Sequence, residues 1–502
     1  MRREMSHAMC KGPNQFVALK RSRAHYLRPP IKERIVSTPN SNTANTLTQA
    51  GRYLIVVTAF LGWFFAGMHL GTTSLVMGSA AKDLLRSTGQ YEVTEADRAA
   101  AAEQIKQNEG GDAEALSKAA ANNRLKTASS KWFGYYVCAL LFGGAAGGLV
   151  FGRIGDRFGR VKGMTTAICC YSCMSLVAYF VQSPGQLLVV RFIVGLGVGG
   201  MWPNGVALIS EVWAGVSRPL LAGIIGTAAN IGIFMVGVAG RIWKVNEGNW
   251  EYVMLLGGIP IVLGILIPFF VPESPRWLSQ QSSQEKADEN KAKPQEAVLK
   301  GEIFRPPFLA ITVAGILLAT VPLLGAWGGA NWTIKWADDV GQAIGNDGLK
   351  ADVIMARSLP GIFGSFLGGW IASFVGRRRC YFLNSLICLV SAQYMFWFTS
   401  PEDPTMFLVL TAILGFFSGI FFGWLPLFLP EIFVTRVRSA GAGVCFNFGR
   451  ILTAVAVLIT AELIVVFNNN FAAFGKVTTL VYLLGAIGVL LLPKGGEGKI
   501  KD

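Results

Sequence analysis

The strongest constraint on this chain is a series of twelve apolar stretches, each long enough to cross a membrane as a helix, about 18 residues or more. They lie near 54–80, 132–152, 163–182, 187–210, 219–241, 252–271, 307–330, 351–375, 380–399, 405–429, 439–466 and 475–493. In hydrocarbon every backbone N–H and C=O must be satisfied inside its own segment, so such stretches fold as α-helices. A soluble core does not hold so many. Only 15% of the residues are charged, against roughly a quarter in soluble domains. The formal net charge is +15. These bases are dispersed over short loops and the N-terminal tail, which argues for the positive-inside rule and against a nucleic-acid partner.

One short loop concentrates that charge. Gly152 to Lys162 reads GRIGDRFGRVK, with Arg153, Arg157, Arg160 and Lys162 between two spans. Gly152, Gly155 and Gly159 suit a turn too short to relax, where close approach and positive φ are needed. Asp156 is its lone acid. A weaker copy, Gly369-Trp-Ile-Ala-Ser373-Phe-Val-Gly376-Arg377-Arg378-Arg379, follows the eighth stretch, with Ser373 in place of the acid. The two loops match at an offset of 217. Other positions match at 220. Glu211 falls on Glu431, Arg218 on Arg438, Gly195 and Gly199 on Gly415 and Gly419, Gly223 on Gly443, and Asn230 on Arg450. One register held over some forty residues marks a chain built as two like halves.

The G-x3-D-R-x-G-R loop and its copy resemble the loops after helices two and eight of the major facilitator superfamily. Arg191-x3-Gly195-x-Gly197 resembles that superfamily's fourth-helix motif. The resemblance implies an all-α membrane protein of twelve transmembrane helices in two pseudo-symmetric six-helix halves. The substrate site lies between the halves, reached by alternating access. It implies no catalytic residues, no cofactor and no metal.

Two stretches narrow the subgroup. Pro272-Glu273-Ser274-Pro275-Arg276-Trp277-Leu278 resembles the close of the first half in sugar porters and their organic-acid relatives. Leu429-Pro430-Glu431-Ile-Phe-Val434-Thr-Arg-Val-Arg438, then Gly441-Ala-Gly443 and Asn447-Phe-Gly449-Arg450, resembles bacterial aromatic-acid, sialate and monocarboxylate symporters. Val434 stands where their pattern has proline. Those symporters carry D-G-F-D in helix one. Here the positions are Ala66-Gly67-Met68-His69, so neither acid's role carries over. The fifth span lacks the G-P pair of drug antiporters and reads Gly226-Thr-Ala-Ala-Asn230-Ile-Gly232, which lowers the standing of a drug exporter.

Candidate substrate and coupling residues follow. Arg450 lies twelve residues past Arg438, ~18 Å into the membrane at ~1.5 Å per residue. A cation there requires a wet cavity, an anion or an internal partner. Glu462 is too far along the same helix to pair with it. The span count makes Arg450 the only charged residue near the midplane. Asn230, its repeat mate, and Asn447 join the set. Arg191 either snorkels to the surface or contacts substrate. His69 is either a neutral histidine bonded to a neighbouring helix or the titratable group for proton coupling.

Gly152, Asp156, Arg157, Gly159 and Arg160 are expected, with Glu211, Arg218, Glu431 and Arg438, to form a gate on the basic-loop side. Its charge pairs would latch that side shut and break when the halves rock.

The expected organisation is a cytoplasmic basic tail 1–52, a six-helix half 53–271, a polar linker 272–306, a second half 307–493 and a tail 494–502. Both termini and the linker are expected in the cytoplasm, in a multi-pass protein of the plasma (inner) membrane. The segment 81–131 faces the other side and has Ala-rich helical stretches; a cap or a solvated excursion are both open readings, the second preferred. Cys169, Cys170 and Cys173 read as small buried hydrophobes rather than metal ligands. The expected partners are a small solute, a proton and lipid, with the chain acting as a monomer.

The reading as a whole is a secondary active transporter for a small organic anion with proton symport. The alternative is a sugar or polyol porter, favoured by PESPRWL and by Trp327, Trp332 and Trp424. A transporter-like sensor is the remaining class.

Overall fold

The structure, a computed structural model, describes residues 47–490 apart from 90, 109–111, 214–217, 280, 282–301, 435–436 and 468. The tail before residue 47, most of the linker 272–306 and the tail 494–502 lie outside the described residues, as does the Arg218 side chain. Among the described residues, twelve helices are long and apolar enough to span a membrane. Spans 1 to 6 are Gln49–Arg86, Ala113–Phe158, Arg160–Ala178, Pro184–Val212, Gly223–Trp243 and Trp250–Phe270. Spans 7 to 12 are Phe308–Ala343, Leu349–Val375, Arg377–Phe398, Pro404–Glu431, Ala440–Val466 and Phe471–Leu490.

Local chemistry sets the span ends. Ser183 caps span 4 by accepting from the Gln186 N–H, and Pro184 follows in the first turn, where its missing N–H costs nothing. The two basic loops turn at Gly159 (φ 115°) and Gly376 (φ 94°), a backbone region that glycine enters without strain. Gly155 serves differently. It sits inside span 2 against Asn204, whose amide leaves no room for a Cβ.

The twofold repeat of the sequence is realised in the packing. Span 2 meets span 4 as span 8 meets span 10. Gly195 lies against the Leu140 carbonyl and Gly199 against that of Gly144; their mates Gly415 and Gly419 lie against the carbonyls of Arg357 and Gly361. The two halves join mainly where span 5 packs on span 8 and span 11 on span 2. Small residues along these seams let backbones approach closely, which in lipid replaces the missing hydrophobic drive.

The segment 81–131 is not an open loop. Span 1 continues to Arg86 and span 2 begins at Ala113, with one further helix, Glu95–Asn108, between them. Arg124 of span 2 bonds the Asp97 carboxylate, with Nε at 3.1 Å from Oδ1, and the Glu92 carbonyl at 3.1 Å. The insert is therefore tied to the overhang of span 2, with most of its helix exposed. Arg124 holds the Asp97 carboxyl down at about 2, helped by the Thr94 N–H and hydroxyl.

Candidate functional site

A cavity of about 780 Å³ lies between the halves. Its walls come from spans 1, 2, 4 and 5 on one side and 7, 8, 10 and 11 on the other. Arg160, Glu211, Arg276, Pro430 and Arg438 line it as well, so it opens on the face that carries the basic loops.

Arg450, Asn447 and Asn230 all line this cavity. Arg450 Nη1 donates to the Gly144 carbonyl of span 2 at 3.2 Å, and its guanidinium lies 4.7 Å from the Phe446 ring centre. Asn230 Nδ2 donates to the Gly361 carbonyl of span 8 at 3.4 Å and to Ser365 at 3.2 Å. The two contacts are pseudo-symmetric. Each half sends one polar side chain to the equivalent backbone carbonyl of the other.

Span 7 breaks regular geometry here. A π-helical turn, Gly325–Gly329, interrupts it and places Trp327 on the cavity wall. Such turns recur at functional sites because they free backbone groups and re-aim side chains. Trp63 and Trp202 meet at 4.7 Å on the opposite wall.

Arg191 and His69 lie elsewhere. Arg191 is fully buried inside the first half, where Nη2 donates to the His69 carbonyl at 3.3 Å and to the Thr73 hydroxyl. The His69 ring is also buried, 4.8 Å from the Tyr171 ring and against Gly257. Neither side chain lines the cavity. Arg191 does not snorkel: span 1 supplies acceptors for its Nη2, while its buried Nε has no partner among the described residues.

On the basic-loop face two ion-pair clusters, one in each half, hold the ends of the spans. Arg160 pairs with Asp156 and lies 3.6 Å from Glu211. Its mate Arg377 binds Glu431 at 3.1 Å and the Ser373 hydroxyl at 2.9 Å. Ser373 thus keeps as a neutral hydrogen bond the contact that Asp156 makes as an ion pair. Glu273 accepts from the N–H groups of Arg160 and Val161, each at 3.0 Å, and caps span 3. Burial raises its carboxyl above the ordinary range, against the pull of those N–H groups. Gly152 and Arg157 lie in the last turns of span 2 and Gly159 makes the turn to span 3, and Arg438 donates to the Pro430 carbonyl.

The opposite face is closed, and by groups the sequence reading missed. Four ion pairs among the described residues join the halves: Lys82–Asp339, Lys126–Asp339, Lys131–Glu462 and Arg241–Asp352. Lys82 also reaches Gln342 at 2.8 Å, and Lys350 reaches Ser79 at 3.1 Å. Lys335 and Lys350 complete the cluster by pairing with Asp339 and Asp338 on their own half. Asp338 and Asp339 lie past the seventh apolar run, which fades near residue 330, whereas the helix continues to Ala343.

Arg450 is not the only deep cation. Arg357 of span 8 also lines the cavity, and among the described residues it has no hydrogen bond or ion pair. Its signal was present in the sequence, as an arginine inside an apolar run. Hydropathy does not report which way a residue faces.

Residues 119–457 match the family model described as Major Facilitator Superfamily. The chain belongs to the major facilitator superfamily. It is a multi-pass membrane protein and a transporter, not an enzyme. It is 26% identical over 345 residues to a cis,cis-muconate transport protein of Acinetobacter baylyi, covering 68% of this chain and 80% of that one. It is 28% identical over 362 residues to a probable 4-methylmuconolactone transporter of Cupriavidus pinatubonensis, covering 70% and 79%. The fold is also that of the xylose transporter of E. coli in a partially occluded inward-open conformation. The TM-score is 0.62 at 17% identity, over 90% of this chain and all of that one.

Proposed function

We propose that this transporter carries a small organic anion by alternating access, with Arg450 binding the anionic group. The observation that carries this reading is the placement of Arg450 on the cavity wall between the halves, where its partners among the described residues are a backbone carbonyl and an aromatic face. A guanidinium takes a carboxylate through two parallel hydrogen bonds. The Gly144 contact is a neutral one that a carboxylate can replace. Asn447 and Asn230 supply neutral groups around it. The Acinetobacter and Cupriavidus relatives, whose names give muconate and a muconolactone as cargo, support an acid.

The same reading assigns proton coupling to His69. Its ring is buried inside the first half against Tyr171 and Gly257 and does not line the cavity, so a proton path to it needs movement of the spans of that half. The orientation follows from charge: the basic-loop face is cytoplasmic, in the plasma (inner) membrane, with both termini on that side. The conformation described is then open inward. Asp156, Arg160, Glu211 and Glu431 are the groups that re-pair across the halves when that face shuts.

A sugar or polyol is the second reading. It is favoured by Trp63, Trp202 and Trp327 on the cavity wall, with neutral amides at Asn230, Asn331 and Asn447. A ligand-stabilisation screen on purified protein decides between the two. Carboxylates raise the melting temperature and sugars do not if the anion reading holds; the reverse pattern refutes it. Arg450→Lys keeps the charge but loses the bidentate geometry, and weakens acid binding about tenfold or more.

A further inference from the structure

The deep cavity holds two cations and no acid. Arg450 and Arg357 both line it, while its one described carboxylate, Glu211, sits at the mouth beside Arg160 and bonded to Ser274. Each arginine replaces a neutral residue of the other half. Arg450 stands where the first half has Asn230, and Arg357 where it has Leu140, which also lines the cavity. The charge is thus confined to one half.

Arg357 has a built surrounding. It lines the main cavity and also a small recess of about 30 Å³ inside the second half. Hydroxyls of Thr333, Thr411, Ser418 and Tyr482 are among the groups around that recess, and the π-helical turn of span 7 forms one wall. Thr333, Thr411 and Ser418 already donate to the carbonyls of Gly329, Phe407 and Gly415, which leaves the Tyr482 hydroxyl as the neutral donor beside an anion that Arg357 holds.

We propose that the substrate carries two acidic groups, the second of them bound by Arg357. This rests on the organic-anion reading and deepens it. Neither guanidinium has a carboxylate partner among the described residues, and when the cavity closes around substrate a single carboxylate leaves one of the two charges uncompensated. A diacid brings the site to neutrality. The geometry sets its length. Span 8 ends at Val375 and span 11 begins near Arg438, both on the basic-loop face. From there Arg357 is ~27 Å deep and Arg450 ~18 Å, at ~1.5 Å per residue. A separation in depth of ~9 Å between the two Cα atoms favours an extended diacid over oxalate or malonate.

The test compares adipate with hexanoate, a matched diacid and monoacid, by binding to the purified full-length protein. The wild type binds adipate about tenfold tighter or more, the value of one charge-assisted contact. Arg357→Gln brings the adipate-to-hexanoate ratio close to one, and Arg357→Lys restores part of it. Arg450→Gln weakens both acids. A wild-type ratio near one, or a ratio that stays about tenfold in folded Arg357→Gln, overturns the second subsite while leaving the anion reading standing. If neither acid binds and a neutral sugar does, the anion reading falls and this proposal falls with it.

Discussion

Replacing Asp339 by Asn should open the face that bears the insert. Asp339 meets Lys335 of its own helix, Lys82 of span 1 at 3.5 Å and Lys126 of span 2 at 3.8 Å. Only the last two pairs join the halves, so only they are lost when this face opens. The Lys335 pair persists in both conformations and cancels. Lys126 has 42% of its side chain exposed, so its pair contributes less than about 1 kcal/mol. Lys82 is 10% exposed. At 3.5 Å and an effective dielectric of about 20, Coulomb attraction is about 5 kcal/mol. Desolvation of both groups offsets much of it, leaving a net ~1–3 kcal/mol. Such a change shifts a two-state equilibrium by ~5- to 150-fold. The assay is alkylation of Leu70→Cys, on the cavity wall of span 1, in a background without the native cysteines. An impermeant maleimide applied from the insert face should react faster by that factor in Asp339→Asn. An unchanged rate in a folded variant would mean that these pairs do not hold the face shut.

Other perturbations test the remaining claims. Asp156→Asn should cripple transport while leaving insertion intact, whereas Ser373→Ala should be mild because that copy already lacks its acid; equal losses in an uptake assay refute an asymmetric gate. A cysteine at Glu103 should label with an impermeant reagent in intact cells and one at Arg379 should not; the opposite pattern reverses the orientation. His69→Gln should abolish the pH dependence of uptake but spare substrate exchange, and surviving pH-driven accumulation places coupling elsewhere. The Asp97–Arg124 tie should be indifferent to pH over the neutral range. Its folded carboxyl is depressed to about 2 from 3.8, so the stabilisation is complete above 3.8 and fades as pH falls toward 2. Arg124→Gln should raise hydrogen exchange in the helix Glu95–Asn108 at neutral pH; unchanged exchange would show that other contacts hold it.

The sequence by itself determined the class of the molecule. Twelve apolar runs force spanning helices, because lipid offers the backbone no other partners. The repeat at 217 and 220 residues foretold the two halves, and even the pairing of Asn230 with Arg450, because chains of like pattern pack alike. Arg450 itself was legible, since a charge in an apolar run is conspicuous.

Tertiary structure decided the rest. His69 is as conspicuous in sequence as Arg450, yet one packs behind Tyr171 and the other faces the cavity. That difference depends on helix rotation, which apolar spans with little amphipathicity do not encode. The charges that close the insert face come from spans 1, 2, 5, 7, 8 and 11, and are separated by up to 331 residues. No local pattern brings Lys82 to Asp339, because the contact exists only when the halves meet. Arg357 gained its meaning the same way: an arginine in an apolar run became a second deep cation only once its helix faced Arg450 across a shared space.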